Sequence, residues 1–305
     1  MGLASSQPQR LSDLVTAVPS DTPTRAQIDR QLAADPIVGS EPRDDIFGRI
    51  GIHPDRLRPR SLPMEAKVFA KSLLRNDSPK PFVIYGRPRS GTTLLVRLLD
   101  QVPQVRCDGE LLHYFLVDPV GFLTRLPKRA GSDLRAYGVK LISYHLMEIQ
   151  RIRRPLAFFD KIAACDYAVF HLTRNTWDQT LSLAKAHLSS VYFSNATTGP
   201  ETLKIDPDRF LRLLRWNEGM LAYERSVMAH VPHLPVCYDT DLRDADQHQP
   251  TIDGICGYLG ARSTPVTSKI RRTGGSDGLQ RVGNVDELVK RVQASDLAHL
   301  VPNKF

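Results

Sequence analysis

Apolar residues fall in short clusters along this chain, and amphipathic stretches separate them. Residues 82–85, Phe-Val-Ile-Tyr, are continuously apolar, the pattern of a strand buried on both faces. Residues 92–101 follow with leucines at helical spacing, so this region predicts strand, loop, helix. The same alternation predicts a short strand over 104–107 and a strand over 138–142 with a helix over 144–151. It continues with a strand over 167–172 and a helix over 177–189. A long amphipathic helix is predicted over 207–230, with Phe210, Leu214 and Leu221 in its apolar set. A short strand over 234–238 and a helix over 249–259 complete the series. Short buried strands alternating with helices predict an α/β fold with a doubly wound parallel sheet.

The first 80 residues read differently. Segments 19–24 and 37–45 are rich in Pro, Ser, Asp and Gly and predict loops around a short helix at 25–34. A second helix is predicted over 63–75, with Pro63 at its start and Ala66, Phe69, Ala70 and Leu73 on one side. The expected organisation is a mostly helical accessory segment over 1–80, covering the core or a cleft, and an α/β domain over 81–305.

Composition removes several classes of protein. No apolar run approaches the ~20 residues that cross a bilayer. Met1 to Arg10 lacks a basic region followed by an apolar core, so no secretory signal is expected. Cys107, Cys165, Cys237 and Cys256 lie far apart with no C-x-x-C pair, which predicts neither a zinc site nor a disulfide framework. A cytoplasmic protein without a metal is expected. The formal net charge of +8 favours an anionic partner, and the excess of Arg over Lys suits bidentate contacts to phosphate or sulfate. Nucleic acid is not the expected partner, because the basic residues are scattered and no aromatic strand alternates with them.

The loop after the first predicted strand carries the most chemistry. Gly86-Arg87-Pro88-Arg89-Ser90-Gly91-Thr92-Thr93 has the G-x-x-x-x-G spacing of a P-loop between a strand and a helix. Its glycines allow backbone N–H groups to converge on one anion, and the helix adds unpaired N-terminal donors. Thr92 stands where a nucleotide triphosphatase carries its lysine, and Arg89 supplies a cation three residues earlier. A second constellation is His171-Leu172-Thr173-Arg174-Asn175-Thr176-Trp177-Asp178-Gln179-Thr180-Leu181-Ser182. There an arginine ends a predicted strand, and two helical turns bring Ser182 back towards it.

With these residues the chain resembles the sulfotransferases that take 3′-phosphoadenosine 5′-phosphosulfate as donor and release adenosine 3′,5′-bisphosphate. Among them it is similar to bacterial carbohydrate and glycolipid enzymes of the trehalose or nodulation-factor type. The resemblance implies a P-loop-type α/β fold over about residues 81–300. It implies that Arg87, Arg89, Ser90, Gly91, Thr92 and Thr93 hold the 5′-phosphosulfate, and that Arg174 and Ser182 hold the 3′-phosphate. Arg271-Arg272-Thr273-Gly274-Gly275 resembles the segment that closes over the 3′-phosphate, which adds Arg271, Arg272 and Gly274. Tyr238-Asp239-Thr240-Asp241-Leu242 is similar to the Tyr-Glu-Asp-Leu found after the corresponding strand.

Sulfuryl transfer needs a base for the acceptor hydroxyl and positive charge along the line of transfer. Arg89 is the candidate for the leaving-group side. In Cys107-Asp108-Gly109-Glu110-Leu111-Leu112-His113 the resemblance implies Glu110 as the base, with His113 as the second candidate. Lys140, in Gly138-Val139-Lys140, is a candidate contact to the acceptor or to a sulfonate oxygen, or a plain strand-end lysine. Rival readings are a P-loop small-molecule kinase and a non-catalytic adenine nucleotide-binding protein. A kinase needs a lysine after Gly91 and a carboxylate at a strand end, whereas Asp166 begins a strand. The expected partner is a small-molecule or glycolipid acceptor, with the N-terminal helices as candidates for a homodimer contact.

Overall fold

The structure is a computed structural model, and it describes residues 27–30, 61–74, 78–130, 133–189, 202–268 and 282–303. Its first long helix is α1 (Leu62–Ser72). Next come β1 (Lys80–Gly86), α2 (Thr92–Leu99) and β2 (Val105–Asp108). A single 3-10 turn at Leu111–His113 leads to α3 (Pro119–Arg129) and β3 (Ala136–Ile142). A π-helical turn at His145–Ile149 precedes α4 (Pro155–Ala163) and β4 (Ala168–Thr173). Then follow α5 (Thr176–Ser189), α6 (Pro207–Met228) and β5 (Leu234–Cys237). Another π-helical turn at Tyr238–Leu242, α7 (Ala245–Leu259), α8 (Val285–Gln293) and a 3-10 turn at Ala298–Leu300 follow.

The five described strands form one sheet in the order β2-β3-β1-β4-β5, and every pairing among them is parallel. The predicted α/β class and parallel sheet are therefore present. β1 is central, paired with β3 on one side and β4 on the other, which explains why it carries no charged residue after Lys80. Its side chains divide by the strand's period of two. Phe82 and Ile84 enter a core with Leu95 and Leu98 of α2 and Ile252 and Ile255 of α7. Val83 and Tyr85 enter the opposite core with α3 to α6 and α8, including Trp177 and Phe210. Because all strands run in one direction, their carboxyl ends share one edge. That edge gathers the residues after Gly86, Asp108, Ile142, Thr173 and Cys237.

Three helices depart from the expectation. The segment 117–135, for which no element is predicted, contains α3, which Asp118 caps by accepting from the Gly121 N–H. α4 and α8 carry no sequence prediction, although Pro155 at the first turn and buried Leu156, Phe158, Phe159 and Ile162 mark α4 as amphipathic. The predicted helix at 144–151 is a single π turn.

α1 confirms the predicted helix and shows how it lies. Its inner stripe is Ser61, Glu65, Val68 and Ser72, of which Ser61, Val68 and Ser72 are buried. The Ser61 hydroxyl donates to the Phe115 carbonyl at 2.7 Å. The Glu65 carboxylate accepts from the Val117 and Asp118 N–H groups at 3.2 Å each. α1 is thus clamped to the segment before α3 by polar groups. The apolar side, Ala66, Phe69, Ala70 and Leu73, faces outward and does not cover the core.

Candidate functional site

The loop between β1 and α2 occupies the middle of the carboxyl edge. Gly86 lies so close to β4 that a Cβ there would sit 2.4 Å from the Leu172 carbonyl oxygen. Gly91 has φ 102°, and a Cβ on it would meet the Tyr238 ring at 2.4 Å. Arg89 also has a positive φ, 64°, which costs a non-glycine residue about 1–3 kcal/mol and persists only where neighbours enforce it. The loop ends at Gly91, the N-cap of α2, and no side chain caps this terminus. The first turn therefore presents its backbone N–H groups and positive dipole end to the edge.

The neighbours that enforce the loop come from β4, α5 and α6. The Gln179 side chain donates to the Pro88 carbonyl at 2.7 Å. Arg174 donates through Nη1 to the Arg89 carbonyl at 3.0 Å, and its guanidinium lies 4.3 Å from the centroid of the Tyr238 ring. Arg89 in turn donates through Nε to the Ser182 hydroxyl at 3.1 Å. Arg89, Arg174 and Ser182 are thereby brought together across 85 and 93 residues of sequence. Among the described residues, the buried Arg174 Nε–H has no hydrogen-bond partner. A buried donor left unpaired is costly, so an anion at this position fits the donor set.

Arg87 and Ser90 behave differently from the expectation. The Arg87 side chain is fully buried. It pairs through Nε with the equally buried Glu224 at 3.5 Å, and donates to the Asn217 carbonyl at 2.7 Å and the Arg174 carbonyl at 3.3 Å. It supports the loop from behind, and its guanidinium offers no surface to a ligand. The Ser90 hydroxyl is also buried and donates to the Arg87 carbonyl at 2.8 Å. Thr92 is buried at the start of α2, and the partly exposed Thr93 hydroxyl accepts from Lys140 Nζ at 3.2 Å. Arg271, Arg272 and Gly274 lie outside the described residues.

The other half of the edge holds the carboxylate. Glu110 follows β2 by two residues, and the Lys140 N–H donates to the Gly109 carbonyl at 3.3 Å, which seats Glu110 beside β3. Lys140 Nζ lies 2.5 Å from Glu110 Oε1, and His145 Nε2 lies 3.7 Å from Oε2. Burial alone pushes the Glu110 carboxyl up, but Lys140, His145 and His113 together hold it below the ordinary carboxylate range. Lys140 therefore touches both the carboxylate and the first turn of α2. His113 Nδ1 meets the Glu110 carbonyl, and its ring packs 4.1 Å from that of Tyr114. The Glu110 carboxylate, rather than the His113 ring, makes the direct contact with Lys140.

The residues that sequence reasoning missed are Glu224, Asn217 and Gln179 as loop supports. Gln179 lies inside the second motif, eight residues after His171 and three before Ser182, so helical spacing was its available signal. Glu224 and Asn217 have no local signal.

Known proteins match this arrangement in part. Residues 81–168 match the sequence model of the Sulfotransferase family, so the resemblance read from the motifs is borne out from β1 to the start of β4. Nodulation protein H of Rhizobium tropici is 33% identical over 142 residues, covering 43% of this chain and 52% of that protein. The chain thus spans about half the length of this curated relative. Among solved structures, a sulfotransferase from Alicyclobacillus acidocaldarius aligns with TM-score 0.42 at 17% identity, over 75% of this chain and 99% of that one. Sulfotransferase STF9 from Mycobacterium avium aligns with TM-score 0.42 at 12% identity, over 92% of this chain and 99% of that one. The matched segment includes the first loop, Glu110 and Lys140 and ends before Arg174 and Ser182.

Proposed function

We propose that this protein transfers a sulfuryl group from 3′-phosphoadenosine 5′-phosphosulfate to a hydroxyl of a carbohydrate or glycolipid acceptor. The observation that carries this reading is the contact chain Arg174–Arg89–Ser182, which joins the loop at β1 to the end of β4 and the second turn of α5. It gives one strand edge two neighbouring positions for anions, which suits a nucleotide with a 3′-phosphate and a 5′-phosphosulfate.

In this reading the 5′-phosphosulfate lies on the N–H groups of the loop and of Thr92 and Thr93. Arg174 and Ser182 take the 3′-phosphate, and Arg271, Arg272 and Gly274 close over it. Arg89 stands between the two anions and offsets charge on the departing phosphate. Glu110 accepts the proton of the acceptor hydroxyl while its oxygen bonds to sulfur and the bond from sulfur to the phosphate oxygen breaks. Lys140 reaches both Glu110 and Thr93. If it turns to a sulfonate oxygen as charge develops, Glu110 loses its closest cation and becomes a stronger base. His113 then orients the turn that carries Glu110. No metal is needed, because side-chain cations and backbone donors supply the stabilisation. The four free thiols, far apart in sequence, support a cytoplasmic site of action. The resemblance of Gly109-Glu110-Leu111 to bacterial carbohydrate and glycolipid sulfotransferases supports a carbohydrate-containing acceptor.

Calorimetric titration with adenosine 3′,5′-bisphosphate, 5′-AMP and ATP–magnesium tests the reading. Tight binding of the bisphosphate with weak binding of the other two is expected. Preference for ATP–magnesium would overturn it in favour of a kinase.

A further inference from the structure

α1 turns the usual amphipathic arrangement inside out. Its inward stripe at 61, 65, 68 and 72 reads Ser, Glu, Val, Ser, whereas the parallel stripe at 62, 66, 69 and 73 reads Leu, Ala, Phe, Leu and faces solvent. Leu62 is 52% exposed, Phe69 48%, Leu73 70% and Leu74 81%. Val117 and Tyr114 on the adjoining segment add two more exposed apolar side chains. Grouped apolar exposure of this kind marks an interaction surface, whereas single scattered residues do not.

The rim of the stripe is basic. Lys67 and Lys71 lie one helical turn apart and are exposed, and the Arg125 guanidinium sits 5.1 Å from the centroid of the Phe69 ring. The carboxylates nearby are already engaged: Glu65 with backbone N–H groups, and Asp118 with Arg125 at 3.4 Å. An apolar stripe bordered by lysines on a short helix is the pattern of an element that lies in a lipid–water interface. A second copy would bring the same lysines and the same net charge of +8, which works against self-association through this face. Anionic headgroups complement it.

We propose that α1 with Tyr114 and Val117 is a docking surface for an anionic membrane. Leu62, Phe69, Leu73 and Leu74 enter the acyl boundary while Lys67 and Lys71 meet the headgroups. The surface is independent of the sulfotransferase reading. Where that reading holds, it narrows the acceptor to a lipid-linked hydroxyl compound, because α1 is clamped to Phe115, Val117 and Asp118, within eight residues of Glu110 in sequence.

Co-sedimentation of the full chain with vesicles tests this, using phosphatidylglycerol mixed with phosphatidylcholine against phosphatidylcholine alone. Binding is expected with the anionic vesicles and not with the neutral ones. The triple variant Phe69→Ser, Leu73→Ser, Leu74→Ser should lose at least about tenfold in partitioning, and Lys67→Glu with Lys71→Glu should lose binding too. All these side chains are exposed, so thermal unfolding and binding of adenosine 3′,5′-bisphosphate should not change. The proposal is overturned if the wild-type chain ignores anionic vesicles, or if the triple serine variant binds them as well as the wild type does. It is equally overturned if sedimentation shows a dimer that the serine variant dissociates. Failure of the vesicle arm with intact bisphosphate binding removes the docking surface alone, and the reverse result removes the donor assignment alone.

Discussion

The two halves of the strand edge are built on opposite plans. On the loop side, Arg87 is buried against Glu224, Arg174 holds the Arg89 carbonyl, and Gln179 holds the Pro88 carbonyl. Each support comes from a different element, so the loop is braced from several sides at once. On the carboxylate side, Glu110 is partly exposed and its closest partner is the buried ammonium of Lys140, which also reaches the Thr93 hydroxyl. In the proposed reaction the first half supplies preorganised donors, whose value lies in not reorganising as the reaction proceeds. In the proposed reaction the second half takes up a proton in each turnover, and a lysine within reach of both Glu110 and Thr93 suits that change.

Breaking the adjustable half should have the largest kinetic effect. Glu110→Gln is expected to lower turnover by about 10²–10⁴-fold while leaving affinity for adenosine 3′,5′-bisphosphate unchanged, as measured by initial rates and calorimetry. An unchanged rate would remove Glu110 from the base role. Next comes the rigid half. Glu224→Gln leaves the Arg87 guanidinium buried without its countercharge, and should cost about 3–5 kcal/mol in chemical denaturation. The double variant Arg87→Met, Glu224→Leu should recover most of that loss, which separates an uncompensated charge from a simple packing defect.

Smaller effects sharpen the comparison. Arg174→Ala should weaken adenosine 3′,5′-bisphosphate by about 10- to 100-fold, in line with a charged hydrogen bond, and 5′-AMP by much less. Equal losses for the two nucleotides would show that Arg174 only braces Arg89. The smallest expected change is a displacement of a pH profile. A base must be deprotonated to act, so kcat/KM falls as pH drops through the Glu110 pKa, which Lys140 helps to hold low. Lys140→Met removes that influence, so the acid limb should move to higher pH. An acid limb that stays in place would mean that another group governs it.

What was legible in the sequence was local. The β1–loop–α2 unit could be read because strand period, glycine spacing and helix pattern all lie within twenty residues of one another. Arg174 and Ser182 were legible for the same reason, since helical spacing sets their separation. Glu110 stood out by its place after β2, but its pairing with Lys140 depends on the register of β2 against β3. The contacts of Arg87 with Asn217 and Glu224 were not legible, because they depend on how α6 packs across the sheet. Gly121 and Pro127 hid α3, although Asp118 followed by Pro119 is a capped helix start. For α1, periodicity gave the apolar side correctly but not its orientation. Polar clamps to Phe115, Val117 and Asp118 decided that.

The Arg87–Glu224 pair also bears on the order in which the molecule is made. β1 and its loop leave the ribosome long before α6, and more than a hundred residues separate the two members of the pair. Until α6 has formed and docked, Arg87 has neither Glu224 nor the Asn217 carbonyl, and a bare guanidinium cannot be buried cheaply. Contacts this distant form late, because the intervening chain must be closed first. The loop after β1 is therefore encoded early and completed late: a nascent chain holding only β1 to β4 has the loop's sequence without its shape.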